Sequence, residues 1–446
     1  MTSFPTSTLQ FLGRHAFAAC LGLSLSPLAL GGTLYYAFED AASKGGIAKV
    51  EYDVATGAMS GHEILWSDAT GMAATHLALN ESKDRLLLVC DAKEGPNLHI
   101  FDLTQKKLAP ISVEFGARPD NVAIKGDLAF VGGYKAKVVA VDLKAGRITN
   151  KFEGRKDLTP PGQKAEDLEL TGDGKHLFVT FQGDSDDGKF KGNRVIVLSV
   201  PDLKLEHDIS LPRDRADLHP KGSVKEAGPS PENILIAPNA NAVVVSLDVY
   251  GAAAIADLDA FVDGKLKNLS TLPTALDQSF GTGFPDRLIG FNTAGKDYAA
   301  LFNCGEKGGL AILDVKDRSI TQRVECAPGV DEPIFLKSMD ALAVAHCGKT
   351  KKRTDKGIER DKCGSDQILI VDLKPLAENK APTVRTVKAS AALHRLHAID
   401  GDRSTIAAAL LKVDKASKIA SIDLASGKEL GLLDCFGKGK TSVFKP

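Results

Sequence analysis

One short pattern recurs along nearly the whole chain and constrains its fold more than any other feature. Each copy is an apolar strand, then Asp, then Leu or Val, then a turn, as in VVAVDLKAG around Asp142. Successive copies lie roughly 40 to 58 residues apart, which is the period of a propeller blade. The landmark positions are Asp53, Asp102, Asp142, Asp257, Asp314, Asp372 and Asp423, with Ser199 in the Asp position of a degenerate copy.

Each period contains short β-branched or apolar runs that are broken by Gly, Asn and Asp. Residues 75–115 show them most clearly, as THLAL, RLLLVC, NLHIFDL and KLAPISVEF. We assign these runs to strands A, B, C and D of one blade, from the innermost strand outwards. The pattern predicts an all-β chain with a single β-propeller domain over residues 33–446. Its four-stranded antiparallel blades number eight, with seven as the alternative count.

The first unit lacks an innermost strand. It contains only TLYYAFE, IAKVEYD and HEILW, whereas the chain ends in the strand-like TSVFKP, residues 441–446. We predict that this C-terminal strand completes the first blade. The N- and C-terminal strands would then close the ring and leave no open sheet edge.

The landmark Asp residues have a structural reason to recur. An Asp side chain can accept hydrogen bonds from the backbone N–H groups of the turn between strands C and D, and a following Gly can adopt a positive φ. We therefore interpret these residues as turn residues rather than catalytic ones.

The N-terminus predicts an export signal over residues 1–31. Arg14 and His15 precede an apolar run over 16–30, with small residues at Ala29 and Gly31 where cleavage is expected. That run is too short to span a bilayer. We expect an exported protein, periplasmic or secreted, with no transmembrane segment in the mature chain. A buried or disordered N-terminal segment is the alternative.

Six cysteines follow the predicted signal, an even number that is compatible with disulfides in an oxidising compartment. Cys347 and Cys363 flank an insertion between strands B and C of the seventh blade, and antiparallel neighbours would bring the two sulfurs together. Cys304 and Cys326 form a second predicted pair, because both end strands on the same side of a blade. Cys90 and Cys435 stay unassigned.

The insertion, residues 349–362, is strongly basic, with seven Lys or Arg against three acids. This charge suits an acidic partner or an anionic surface. A solvated loop is the alternative. The whole chain, by contrast, has a net charge of -1 and gives no sign of nucleic-acid binding.

The repeats also resemble those of a known family. RPDNVAIKGD followed by VVAVDLKAG, and SPENILIAPNANAVVVSLD, are similar to YVTN-type and lactonase-like β-propeller repeats, over roughly residues 33 to 440. The resemblance implies the propeller fold. It leaves the function open, since such propellers include lactonases, lyases and cell-surface binding proteins.

A binding site is expected at the channel mouth, the end of the central channel where every strand A begins. One polar residue per blade should converge there. Oxygen ligands from Glu166, Asp167, Asn121 and Asn233 would suit Ca²⁺ or Mg²⁺, and such an ion could polarise a lactone or ester carbonyl. Two arginines in the set favour a carboxylate or phosphate ligand instead. The predicted ligand-binding residues are His76, Asn121, Asp167, Asn233, Arg287 and Arg395.

Four histidines, His76, His346, His394 and His397, raise the possibility of a transition-metal centre. His394 and His397 are three residues apart on one predicted strand, where odd spacing places side chains on opposite faces. We therefore expect lone polar histidines rather than a ligand pair.

Two functions follow from these observations, and no catalytic residue is assigned. In the first, the channel mouth binds a small anionic ligand or a protein partner without turnover. In the second, a metal-assisted lactonase, hydrolase or lyase acts at the same place. The usual serine hydrolase is excluded because the chain has no GxSxG motif.

Overall fold

The structure is a computed structural model. It describes residues 31–40, 44–67, 74–91, 95–105, 107–154, 163–182, 192–212, 228–280, 282–305, 308–326, 331–346, 349–354, 357–362, 365–399, 402–413 and 417–445. For residues 331–332, 349–350, 352–354 and 357–362 only the backbone is described. The predicted signal peptide lies outside these ranges except for Gly31, so export stays a prediction.

The described residues form eight four-stranded antiparallel blades. Blade 1 consists of β1 (Gly31–Glu39), β2 (Gly45–Asp53), β3 (Met59–Ser67) and β34 (Lys438–Lys445). Blades 2 to 4 consist of β4 (Ala74–Leu79), β5 (Arg85–Cys90), β6 (Leu98–Asp102) and β7 (Ile111–Val113); β8 (Pro119–Lys125), β9 (Leu128–Gly133), β10 (Lys137–Asp142) and β11 (Arg147–Glu153); and β12 (Lys164–Leu170), β13 (His176–Gln182), β14 (Arg194–Ser199) and β15 (Leu205–Ser210).

Blades 5 to 8 have the same plan. They consist of β16 (Pro231–Ala237), β17 (Ala242–Leu247), β18 (Ala252–Asp257) and β19 (Ser270–Pro273); β20 (Pro285–Thr293), β21 (Lys296–Asn303), β22 (Leu310–Asp314) and β23 (Ser319–Val324); β24 (Asp331–Leu336), β25 (Ala341–Ala345), β28 (Gln367–Asp372) and β29 (Thr383–Lys388); and β30 (Ala392–Ala398), β31 (Ile406–Lys412), β32 (Ser417–Asp423) and β33 (Lys428–Asp434).

The two ends of the described chain meet in blade 1. β34 pairs with β1 in antiparallel register, from Thr33 opposite Lys445 to Glu39 opposite Lys438. β34 also contacts the inner strands of blades 2 and 8, so the inner strands touch in sequence around a closed ring. The predicted eight-bladed propeller and its closure by terminal strands are both confirmed.

The core lies between neighbouring blades. Strands B and C are buried on both faces, because each sheet packs against two others. Their sequences are accordingly continuous apolar runs, such as RLLLVC in β5. Leu87 and Val89 of blade 2 pack with Val131 and Val139 of blade 3 in one such cluster. Strand D lies at the perimeter, and β33 accordingly alternates between exposed and partly buried residues.

The landmark residues do form turns at seven of the eight positions. Asp142 Oδ1 accepts hydrogen bonds from the backbone N–H groups of Lys144 at 2.9 Å and Ala145 at 2.8 Å, and Gly146 follows with a φ of 65°. Equivalent bonds are accepted by Asp53, Asp102, Asp314, Asp372 and Asp423, whereas Ser199 Oγ accepts a bond from the backbone N–H of Lys204, five residues on.

The turn prediction is wrong at Asp257. A short helix, α1 (Leu258–Val262), begins directly after this residue and replaces the turn. The Asp257 side chain makes no cap bond to the helix. It accepts a hydrogen bond from Asn268 Nδ2 at 2.7 Å and forms an ion pair with Arg318 of the next blade.

The basic insertion of blade 7 is a hairpin. β26 (Lys349–Thr354) pairs antiparallel with β27 (Gly357–Lys362), with Lys349 opposite Lys362 at its base. Two 3₁₀ helices, Pro238–Ala240 and Lys374–Glu378, complete the regular elements of the described ranges. Among those residues, none of the helices is long and apolar enough to cross a bilayer.

Candidate functional site at the channel mouth

Bulges at the start of the inner strands build the channel mouth. A β-bulge adds a residue to one strand and re-aims the side chains around it. The pairing register shifts between Ala74 and His76, Pro119 and Asn121, Ala165 and Leu168, Pro231 and Ile234, Pro285 and Arg287, Asp331 and Pro333, and Leu393 and Arg395. All six predicted ligand-binding residues lie within or directly after one of these bulges.

Asn121 and Asp167 tie three consecutive blades together. Asn121 Nδ2 of blade 3 donates to Asp167 Oδ1 of blade 4 at 2.8 Å, and the backbone N–H of Leu168 donates to the same oxygen at 2.9 Å. The backbone N–H of Ile234, in blade 5, donates to Asp167 Oδ2 at 3.0 Å. Burial raises the pKa of Asp167, against the effect of these donors. Both side chains therefore hold the ring together, and their role as metal ligands stays a prediction.

Two hydroxyl groups from strand B hold the neighbouring bulges. Thr180 Oγ1 accepts from the backbone N–H of Asp167 at 3.0 Å and donates to the Glu232 carbonyl at 2.8 Å. Ser246 Oγ accepts from the backbone N–H of Asn233 at 2.9 Å. The Asn233 side-chain carbonyl is buried and has no hydrogen-bond partner among the residues that the structure describes. It is therefore an acceptor that a ligand can use.

The first ionic group at the mouth is the Lys164 cluster, which comprises Asp120, Lys164 and Glu166. Lys164 Nζ lies 2.7 Å from Asp120 Oδ2 and 2.6 Å from Glu166 Oε2. Burial opposes the charge on Lys164, but the two carboxylates outweigh it and raise the lysine pKa. The ammonium also lies 5.8 Å from the ring centre of Tyr134, within cation–π range.

The second group is the Lys351 cluster, which comprises Glu232, Asp248, Asp286 and Lys351. Lys351 Nζ lies 2.6 Å from Asp286 Oδ1, 2.9 Å from Asp248 Oδ1 and 3.5 Å from Glu232 Oε2. The three carboxylates offer oxygens within 4.8 Å of one another. Asp248 is completely buried and Lys351 is 4% exposed. One ammonium thus serves three acids from blades 5 and 6.

The charges of the Lys351 cluster are not balanced by the lysine alone. Burial, reinforced by the charges of Asp248 and Asp286, raises the pKa of Glu232 well above its usual range. Burial also favours neutral Asp286, but Lys351 and Arg287 outweigh it and hold the pKa of Asp286 well below its usual range. Burial opposes the Lys351 charge, and the carboxylates nevertheless raise its pKa. The two pKa shifts have opposite directions because Lys351 Nζ lies 2.6 Å from Asp286 Oδ1 but 3.5 Å from Glu232 Oε2.

The sequence analysis missed Asp248 and the role of Lys351. Asp248 directly follows strand B of blade 5, a position that the strand A argument does not cover. Lys351 belongs to the basic hairpin, and its backbone N–H donates to the Cys304 carbonyl at 2.6 Å. The charge excess of the insertion was the only signal, and it pointed to an external partner. Docking of an acidic partner on 349–362 stays a prediction, but its Lys351 binds acids of this chain.

Three histidines lie on the inner strands of blades 2 and 8. Burial, together with the Arg395 charge, lowers the pKa of both His76 and His397 to about 4. His76 Nδ1 is buried without a hydrogen-bond partner in the described part of the chain. His394 Nε2 lies 2.9 Å from the Lys440 carbonyl, and His397 Nε2 lies 2.8 Å from Ser442 Oγ.

The expectation that His394 and His397 lie on opposite faces is therefore wrong, since both contact β34. The bulge between Leu393 and Arg395 interrupts the strict alternation of β30 on which that expectation depended. The expectation that each is a lone polar histidine stays a prediction.

Arg287 and Arg395 bring positive charge to the same mouth. Arg287 Nη1 donates to the Asp286 carbonyl at 2.8 Å and lies 3.9 Å from Asp286 Oδ2, and a third of its side chain is exposed. Burial is the main cause of the lowered His76 pKa, but the charges of both arginines add to it. The charge of Lys164 also lowers this pKa and that of Asp120 raises it, so the two arginines are among four charges that act on His76.

The second predicted disulfide is not formed, since Cys304 and Cys326 are both free and buried. The sheet order explains why: Cys304 follows strand B and Cys326 follows strand D, and β22 lies between those strands. Two strand spacings are about 9.5 Å, whereas a disulfide needs Cα atoms within about 7 Å.

Cys347 and Cys363 lie outside the described residues, and their disulfide stays a prediction. Cys90 and Cys435 are also free and buried.

Comparison with known proteins adds evidence on the fold only. No protein-family model matches the chain, and no curated protein matches its sequence. Among solved structures, the dihydro-heme d1 dehydrogenase NirN in complex with DHE matches with a TM-score of 0.63 and 13% identity, over 92% of this chain and 74% of that one.

Two further structures show the range of these matches. The periplasmic gluconolactonase PpgL of Pseudomonas aeruginosa has a TM-score of 0.53 at 13% identity, over 93% of this chain and 99% of its own. The C-terminal WD40 domain of Sif2 has a TM-score of 0.55 at 12% identity, over 85% of this chain and 89% of its own. The chain thus resembles lactonase-like and WD40-type propellers in fold. At this identity, the likeness does not select a ligand or a reaction.

Proposed function

We propose that the channel mouth binds a small anionic ligand, a carboxylate or a phosphate, through Arg287 and Arg395. The observation that carries this proposal is the environment of His76. Arg287 and Arg395, like His76, each follow a bulge near the start of a strand A, so all three groups lie at the same end of the ring. A guanidinium group can bind a carboxylate or a phosphate in a bidentate manner.

Neutral hydrogen-bonding groups support the same assignment. His76 Nδ1 and Asn233 Oδ1 are both buried and, among the described residues, neither has a hydrogen-bond partner. A buried polar group without a partner costs free energy, and a ligand that supplies the bond recovers it. A ligand with hydroxyl groups beside its acid, such as a hydroxy acid, satisfies both the arginines and these polar atoms.

Calorimetric titration with citrate, gluconate and inorganic phosphate tests this proposal. We expect at least one of the three to bind, and we expect Arg287→Gln and Arg395→Gln each to weaken binding by about tenfold or more. Arg385→Gln is the matched control, because Arg385 lies on the outer strand of blade 7, away from the mouth. Equal affinities of the wild type and both mouth variants would contradict the proposal.

A metal-assisted lactonase, hydrolase or lyase at the same mouth is the second candidate. The specific observation behind it is the group of carboxylate oxygens in Glu232, Asp248 and Asp286, within 4.8 Å of one another. This set does not fit a resident ion as it stands, because the Lys351 ammonium contacts all three acids. An ion would have to displace the lysine. Elemental analysis of the purified protein, followed by assays on a lactone panel with and without chelator, separates this candidate from ligand binding.

A further inference from the structure

The outer strand of blade 8 exposes apolar side chains that the outer strands of blades 3, 4, 6 and 7 do not. The exposed positions of β11, β15, β23 and β29 are all occupied by polar or charged residues. The exposed positions of β33 are Lys428, Leu430, Leu432 and Asp434. Two leucines of this strand therefore face solvent at the perimeter of the ring.

These leucines belong to an apolar patch on the seam between blades 8 and 1. Ile64 of β3 and Phe436, two residues after β33, are exposed as well, and the Phe436 ring stacks on His62 of β3 with the centroids 4.2 Å apart. Of the six large hydrophobic residues that are exposed in the described part of the chain, four lie here, each 37% to 47% exposed. Such a concentration marks an interaction surface. The seam patch comprises Ile64, Leu430, Leu432 and Phe436.

The sequence of β33 is complementary to itself in an antiparallel arrangement. The strand is the last in the order β30-β31-β32-β33, so among the described residues its outer edge is unpaired. In KELGLLD, Lys428 and Asp434 lie at equal distances on either side of Gly431, and so do Leu430 and Leu432. A second copy of β33 in the opposite direction would place lysine opposite aspartate and leucine opposite leucine. Both pairings are favourable between neighbouring strands.

We propose that the seam patch is the interface of a twofold dimer, in which two β33 strands lie antiparallel with Gly431 at the axis. The same surface then serves both copies, and every contact occurs twice. Glycine at the centre lets the two backbones approach closely. The contact is made by side chains and needs no regular ladder, which the β-bulge of β33 would interrupt.

The charged ends of β33 are accessible for this contact. Asp434 Oδ1 lies 3.3 Å from Lys418 Nζ, but the Asp434 side chain is 78% exposed. An exposed ion pair of this kind contributes little to stability, so it does not prevent the carboxylate from meeting Lys428 of a second copy. Lys428 is itself an exposed residue of the same strand.

The size of the patch sets the strength of the dimer. A stable interface buries about 1,200–2,000 Å² in total, and one outer strand with two flanking apolar residues lies at the low end of that range. We therefore expect a dissociation constant of about 1–100 µM. Sedimentation velocity of the purified protein over a range of concentrations measures it.

Charge reversal tests both the partner and the arrangement. Lys428→Asp alone places two acids opposite each other, and Asp434→Lys alone places two lysines opposite each other. Because each contact occurs twice, we expect each single variant to weaken self-association by about tenfold or more. The double variant Lys428→Asp/Asp434→Lys restores opposite charges, and it should associate within about threefold of the wild type.

Lys151→Asp is the matched control, because it makes the same charge change on β11, an outer strand without exposed leucines. It should associate as the wild type does, and circular dichroism checks that every variant folds. A wild type that is monomeric at about 200 µM would overturn the inference. Single charge variants that dimerise like the wild type would also overturn it, as would a control that weakens association equally. A double variant that stays monomeric would refute the antiparallel arrangement and the proposal with it.

Discussion

The Lys164 and Lys351 clusters have the same chemistry but different origins. In each, one buried lysine joins acids from neighbouring blades at the channel mouth. Lys164 and Glu166 lie two residues apart on β12, so the repeat itself supplies cation and acid together. Lys351 lies 103 residues from Asp248 and comes from an inserted hairpin, the single two-stranded sheet among the described residues. The Lys164 cluster is therefore built from residues of the repeat, whereas the insertion in blade 7 adds the cation of the Lys351 cluster to acids of blades 5 and 6.

The two clusters also differ in their contact with solvent. The side chain of Lys164 is 17% exposed and that of Asp120 is 25% exposed, whereas Lys351 and Asp248 are 5% and 0% exposed. Water screens the first cluster better than the second, so loss of its lysine is less damaging. We therefore expect the loss of Lys351 to destabilise the protein more than the loss of Lys164, because of the difference in burial rather than the number of contacts.

The largest expected effect is on the Lys351 cluster. Lys351→Met removes the buried ammonium that contacts Glu232, Asp248 and Asp286, and we expect it to lower the free energy of unfolding by about 3–5 kcal/mol. Urea unfolding followed by circular dichroism measures this. Lys351→Arg is the control and should lose much less. A loss below that of the equivalent Lys164 variant would reverse the proposed ranking.

A smaller loss is expected from the Lys164 cluster. Lys164→Met leaves Asp120 and Glu166 partly in water, and we expect a decrease of about 1–2 kcal/mol in the same measurement. The variant should leave the hairpin undisturbed. Hydrogen exchange of residues 349–362 checks this point, because only Lys351→Met should speed exchange there. Faster exchange in the Lys164 variant would show that the two clusters are coupled.

The smallest effect at neutral pH concerns the histidines, which lie outside both clusters. Because the folded pKa of His397 is about 4 rather than 6.5, the unfolded chain takes up a proton first as the pH falls. The stability contribution is therefore present above about pH 6.5 and is lost as the pH drops towards 4. His397→Gln should leave stability at pH 7 nearly unchanged and reduce the slope below pH 6.5 by up to about 1.4 kcal/mol per pH unit. An unchanged slope would assign the acid sensitivity to the ion clusters instead.

The fold was predictable because its signals are local and repeated. The landmark Asp residues, the apolar strands and the missing inner strand of the first unit each follow from short stretches of sequence. Asp257 was the exception, because a short helix follows strand C there and the same Asp-Leu pattern precedes both the helix and the tight turns. Strand order also had to be known before the Cys304 and Cys326 pairing could be judged.

The candidate site was predictable only where the repeat places it. Equivalent positions in strand A identified Arg287, Arg395 and His76, since every blade presents its bulge at the same end. The bulge itself leaves no clear sequence signal, and it broke the alternation used for His394 and His397. Lys351 was unpredictable in principle from the repeat, because an insertion has no equivalent in other blades from which its path can be inferred.

The closing strand has a consequence for how the protein is made. The last eight-residue strand, β34, completes the first blade and also provides the contacts to His394 and His397. Until these residues leave the ribosome, the newly synthesised chain has an unpaired β1 and an unfinished mouth. A chain that ends before β34 would carry almost all of its core yet lack a closed ring. Closure of the ring should therefore depend on synthesis through β34.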